Sequence, residues 1–121
     1  MIVKGKRVEL FIDADHIARV VDDGEDGVSV FYWGNPHQDG FNRDTFHDDG
    51  IIPAFLAQLR KDDRFTPLGT GRSGPAEYVN FSNVRRVILQ GGTAIVQFAD
   101  EQRDYRGQDY EAIAKRVNAI R

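Results

Sequence analysis

FIDADHIARVVDDGEDGVSVF, residues Phe11 to Phe31, is the stretch whose reading decides the fold. His16 to Val21 and Val28 to Trp33 are β-rich runs. Asp22-Asp-Gly-Glu-Asp-Gly27 between them reads as a hairpin connection, because its glycines accept positive φ and its acids hold the loop in water. Asp13-Ala-Asp15, ahead of the first run, reads as a turn, since an Asp side chain can bond backbone amides two residues on. Upstream, Val8, Leu10 and Ile12 alternate with Arg7, Glu9 and Phe11, the period of a further strand.

The same grammar returns downstream. YVNFSNVRRVILQGGTAIVQF, Tyr78 to Phe98, aligns with the first stretch without a gap and sets Asp13 over Asn80, Arg19 over Arg86, Gly24 over Gly91 and Phe31 over Phe98. Ala76 to Phe81, Val84 to Leu89 and Thr93 to Phe98 read as strands, Arg103 to Tyr105 as a short fourth, and Gln90-Gly-Gly92 as a hairpin. A helix follows each set. Ile51, Ile52, Phe55, Leu56 and Leu59 make one stripe, with Asp49 as its expected cap and Pro53 in the first turn. The second helix is expected over about Tyr110 to Ala119, capped by Asp109. The expected fold is therefore β-rich α+β, with two similar antiparallel strand-strand-strand-helix halves near 7–63 and 76–121. A connector over 66–75, TPLGTGRSGP, joins them. A unit of roughly 50 residues is marginal alone, so residues 1–121 are expected to share one domain as a tandem repeat.

Composition narrows the function classes. With 40 % hydrophobic and 29 % charged residues in 121, the chain belongs with ordinary globular proteins. It has no cysteine, which excludes a disulfide framework, a thiolate metal site and a cysteine nucleophile and suits a cytoplasmic location. No stretch approaches the roughly 20 apolar residues of a spanning helix, so a membrane is not an expected partner. The net charge of −3 is uneven: residues 1–60 hold 6 basic and 11 acidic side chains, residues 61–121 hold 10 and 8.

Candidate sites follow from residue type. Tyr32 and Trp33 beside the loop 34–50, with Phe41 in a short strand within it, are candidate contacts for a ligand or partner, because large amphipathic rings are enriched in binding surfaces. The loop holds His37, Asp39, His47 and Asp48, the imidazole and carboxylate types a divalent metal takes, at a spacing that matches no metal motif. The hairpin DDGEDG fails as a calcium loop, since Trp33 stands where a bidentate Glu is required. Gly69 to Gly74 around Arg72 could wrap an anion, but it lacks the Lys-Ser/Thr ending of a phosphate-binding loop. Arg72 with Arg85 and Arg86 would make a basic surface for nucleic acid, although Arg85 and Arg86 on one strand would point to opposite faces. His16, after a turn, reads as a structural hydrogen-bonding side chain.

No nucleophile, base and orienting group assemble from these residues. The chain reads as a non-enzymatic binding or interaction module without a cofactor. Its partner is another protein or a second copy, as in a homodimer joined through an exposed strand. A nucleic-acid-binding regulator using Arg72, Arg85 and Arg86 is the alternative, and a metal-dependent hydrolase on the loop 34–50 is the second.

Overall fold

The computed structural model describes residues 1–33, 43–47, 50–71, 74–99 and 101–120. Phe41, Arg72, His37, Asp39 and Asp48 lie outside them, as does Asp49. In chain order the strands and helices are β1 (Ile2–Lys4), β2 (Glu9–Phe11), β3 (Ile17–Asp22), β4 (Val28–Tyr32), β5 (Arg43–Phe46) and α1 (Ile51–Lys61), then β6 (Phe65–Leu68), β7 (Glu77–Asn80), β8 (Arg86–Gln90), β9 (Thr93–Gln97), β10 (Gln102–Arg106) and α2 (Gln108–Ile120). The fold is α+β with antiparallel sheets throughout.

A five-stranded sheet, β5-β4-β3-β7-β6, forms the middle layer. Strand alternation gives it two faces. On one, the register partners Val20, Val30 and Tyr78 pack under Phe55 and Leu59 of α1 and Val3 of the two-stranded ribbon β1-β2. On the other, Val79 and Leu68 pack with Ile113 of α2 and with Ala94 and Val96 of a three-stranded sheet, β10-β9-β8. Because β3 is covered on both sides, Ile17, Ala18, Arg19 and Val20 are all buried, and a shift of register between Ile17 and Arg19 interrupts its pairing with β4.

Apart from a second 3-10 turn, Gly24–Asp26, in the first half, both halves run through strand, 3-10 turn, three strands and helix in the same order. The turns also match in detail. Asp13 caps Ala14–His16 by accepting from the Asp15 amide at 3.2 Å, and Asn80 caps Phe81–Asn83 by accepting from the Ser82 amide at 3.0 Å. The sheet partners do not repeat. β2 pairs with the N-terminal β1, while its counterpart β7 is inserted between β3 and β6, and β8-β9-β10 make a sheet of their own.

Three expectations change. Thr66 to Leu68, read as connector, lies in β6, whose place at the sheet edge tolerates Pro67. Asp109 is not the cap of α2, which starts at Gln108; its carboxylate instead accepts from the Gly69 amide at 2.8 Å. At α1 the capping position is Gly50, with no side-chain cap bond.

Gly27 closes the first hairpin with φ +92°, and a Cβ there would stand 2.2 Å from the carbonyl oxygen of Phe46 on β5. Backbone rather than a movable side chain blocks it. Gly27→Ala is expected to lower the unfolding free energy by about 2 kcal/mol in a urea titration, whereas an unstrained Gly→Ala would be neutral or stabilising.

Candidate functional site

On the α2 face of the five-stranded sheet the second layer leaves β4, β5 and the far end of β3 uncovered, and they floor a polar cleft of about 590 Å³. Register sets its floor: Arg19, Phe31 and Arg43 make one row across the strands, and Val21, Ser29 and Thr45 the next. Arg19 is 5 % exposed. Its Nε donates to Glu101 Oε1 at 2.6 Å and its Nη2 to Glu101 Oε2 at 3.4 Å, and its guanidinium lies 3.8 Å from the centre of the Phe31 ring. Arg43 approaches the same ring at 5.7 Å. Ser29 donates to Asp23 at 2.9 Å and meets Thr45 at 3.4 Å. Every polar group named here has a protein partner or reaches water, so the cleft is wired within itself.

Glu77 lines this cleft, and Tyr105 stands behind it in the core under α2. The Tyr105 hydroxyl donates to Glu77 Oε2. Burial pushes the Glu77 carboxyl above its ordinary value, against the opposing pull of the Tyr105 hydrogen bond and of the Arg19 and Arg103 charges, while Asp109 adds to the rise. Tyr105 is raised as well, by burial and then by the Glu77 charge. A carboxyl raised on folding holds more protons in the native than in the unfolded chain, so its contribution to stability is fully present below the unfolded value of 4.5 and is lost as pH climbs through the folded value. Glu77→Gln removes that loss and keeps an acceptor for Tyr105. Its stability relative to the unaltered protein should therefore rise with pH just above 4.5 and then level off, measured by urea unfolding at stepped pH. A pH-independent difference would contradict this account.

The sequence-chosen aromatics are held by the fold. Tyr32 packs against the core under α1, and burial, followed by the Asp44 charge and hydrogen bond, raises its hydroxyl. Trp33 stacks on His16 with centroids 5.3 Å apart, and its Nε1 donates to the Asp15 carbonyl at 2.8 Å. His16 is tied to Asp13 at 2.6 Å, the structural role expected of it. Trp33 also walls a hollow of about 210 Å³ with Arg85. His47 is exposed just beyond β5, and among the described residues no group of three or more His, Asp or Glu gathers to hold a metal ion.

Arg85 and Arg86 both border one groove, where the sequence predicts at most one of them in a given patch. Arg85 precedes β8, and its amide bonds the carbonyl of Gln97, the residue Arg86 already faces, so the alternation of a regular strand does not separate the two. Both line a groove of about 350 Å³ floored by Phe81, Val84, Val87, Val117 and Ile120, between β8 and α2. Arg116 of α2 lies 5.5 Å from the Phe81 ring, with its buried Nε lacking a hydrogen-bond partner among the described residues. β8 is an edge strand. The groove thus joins an apolar floor, bordering arginines and a backbone edge that is unpaired among the described residues, the three things a docked strand or helix uses.

Sequence reasoning missed Arg19, Glu101, Glu77 and Tyr105. An arginine within the apolar run Ile17 to Val21 was the available signal, since a buried guanidinium needs a partner. Compared with protein-family models, curated proteins and solved structures, the chain finds no match.

Proposed function

We propose that this protein is a non-enzymatic interaction module that docks a protein partner in the groove between β8 and α2. The observation that carries the reading is an apolar floor bordered by Arg85 and Arg86 beside β8, an edge strand among the described residues. Arg85 and Arg86 are the sequence candidates that border this groove; Tyr32 and Trp33 are held elsewhere by their own contacts. Catalysis is disfavoured because the titratable pair Glu77 and Tyr105 already satisfies itself. Residues 1–121 act as one domain in this reading, supported by β7 pairing with strands on both sides of it in sequence. A cytoplasmic location agrees with the absence of cysteine, and no helix of the described residues is long and apolar enough to cross a membrane.

Anilinonaphthalene sulfonate, an apolar anion, probes the floor and the rim together. The protein should bind it saturably, and Arg86→Glu with Ile120→Glu should abolish binding while Arg43→Ala leaves it intact. Equal fluorescence from all three proteins would remove the groove as a docking site. The same arginines favour nucleic acid as a second reading. Labelled single-stranded and duplex DNA that bind at low salt, with a steep loss as salt rises and with Arg85→Glu, would support it over a protein partner.

A further inference from the structure

We propose that a second copy of this chain occupies the groove through the outer face of the β1-β2 ribbon, so that copies join head to tail; this rests on the docking role of the groove proposed above. Ile2 and Phe11 stand opposite one another in the ribbon register. They are 58 % and 71 % exposed, while Val3 and Leu10 on the other face pack into the core. Paired large apolar side chains on an outward face are what an interaction surface carries and a solvated ribbon does not need.

Charge names the occupant. The hollow beside Phe11 is lined by four carboxylates, Asp13, Asp15, Asp62 and Asp63, against three cations, Lys61, Arg64 and the Met1 ammonium, with Arg64 paired to Asp15 and Asp62, which leaves it net acidic by one charge. The residues lining the groove carry two arginines and no acid, with Arg116 behind them. At about 350 Å³ the groove is at the small end of ligand pockets, roughly 300 to 1,000 Å³, which suits an inserted side chain or two better than a large cofactor. The ribbon belongs to the core under α1 and the groove to the core under α2, on opposite faces of the five-stranded sheet, so one copy cannot fill its own groove. Two different patches meeting make a heterologous contact, which closes into a ring or grows as an open chain.

Light scattering on the full chain after size-exclusion chromatography tests this. Mass should rise with concentration at low salt and fall toward the monomer at high salt, as screening weakens the charge pairing. Phe11→Ser should be monomeric, and so should Arg86→Glu with Ile120→Glu. Mixed in equal amounts, the two variants should form a dimer and nothing larger, because each keeps the one surface the other has lost. An unaltered protein that stays monomeric at every concentration while still binding the sulfonate probe overturns the second copy and leaves the groove for another partner. Assembly that survives Phe11→Ser, or a mixture that stays monomeric although the unaltered protein assembles, overturns the head-to-tail contact. Circular dichroism matching the unaltered protein is required of each variant, and Arg85→Glu replaces the double variant if that one fails to fold.

Discussion

Arg19→Ala is expected to lower the unfolding free energy by about 2 kcal/mol, between the values for an exposed and a fully buried ion pair, because the Glu101 side chain is 32 % exposed. The guanidinium is 5 % exposed, bonded to Glu101 through two nitrogens and stacked on Phe31. Alanine deletes the stack, leaves Glu101 without its cation, and withdraws from Glu77 one of the two positive charges that moderate the cost of its burial. The pair itself need not be a net gain over an apolar substitute. Arg19→Met with Glu101→Leu should therefore recover most of the loss, and that contrast separates an orphaned charge from a lost attraction. Urea titration of the two single variants and the double measures it. A loss below about 1 kcal/mol for Arg19→Ala, the value of an exposed pair, would mean that Glu101 is solvated without Arg19.

Asn80→Ala is expected to cost about 3 kcal/mol. Asn80 is fully buried, its Nδ2 donates to the Ala14 carbonyl at 3.2 Å and the Ile17 carbonyl at 2.9 Å, and its Oδ1 caps the Ser82 amide. Ile17 keeps a second donor, the Asn83 Nδ2 at 2.6 Å, and the Ala14 carbonyl keeps the Ile17 amide, so alanine removes three bonds and leaves the Ser82 amide without its side-chain cap. Three lost hydrogen bonds at about 1 kcal/mol each give the figure. Asn80→Asp retains the acceptor for Ser82 but loses both donors and buries a charge, so it should be no better than alanine in the same titration at neutral pH. A stability close to the unaltered protein for Asn80→Asp would show that the cap to Ser82, and not the bonds across to the first turn, is what matters.

How much of this was legible in the sequence depends on what each residue answers to. The hairpins were, because Gly91 and Gly92 take φ +59° and +76° and no other residue does so readily. The stripe of α1 was, because one face of that helix meets one core. Phe65 to Leu68 was not. A strand containing Pro67 looks like a connector until the sheet order shows that it sits at an edge. Asp109 looked like a cap by position, but its carboxylate answers to an amide 40 residues away. The polar cleft was illegible for the same reason. Arg19 and Glu101 are 82 residues apart, and nothing local to either announces the other. The groove was half legible: the arginines were singled out, but their place beside one groove depends on where β8 begins.

The interleaving of β7 bears on how the chain tolerates being cut. Once the backbone is severed within the connector 69–76, the C-terminal piece still carries a strand hydrogen-bonded on one side to β3 and on the other to β6, both in the N-terminal piece. The two polypeptides are dovetailed rather than merely stacked, and Asn80 and Asn83 add side-chain pegs into the carbonyls of Ala14, Asp15 and Ile17. Two fragments made apart would each lack a sheet neighbour until they meet, so their reunion would report on whatever brings them together.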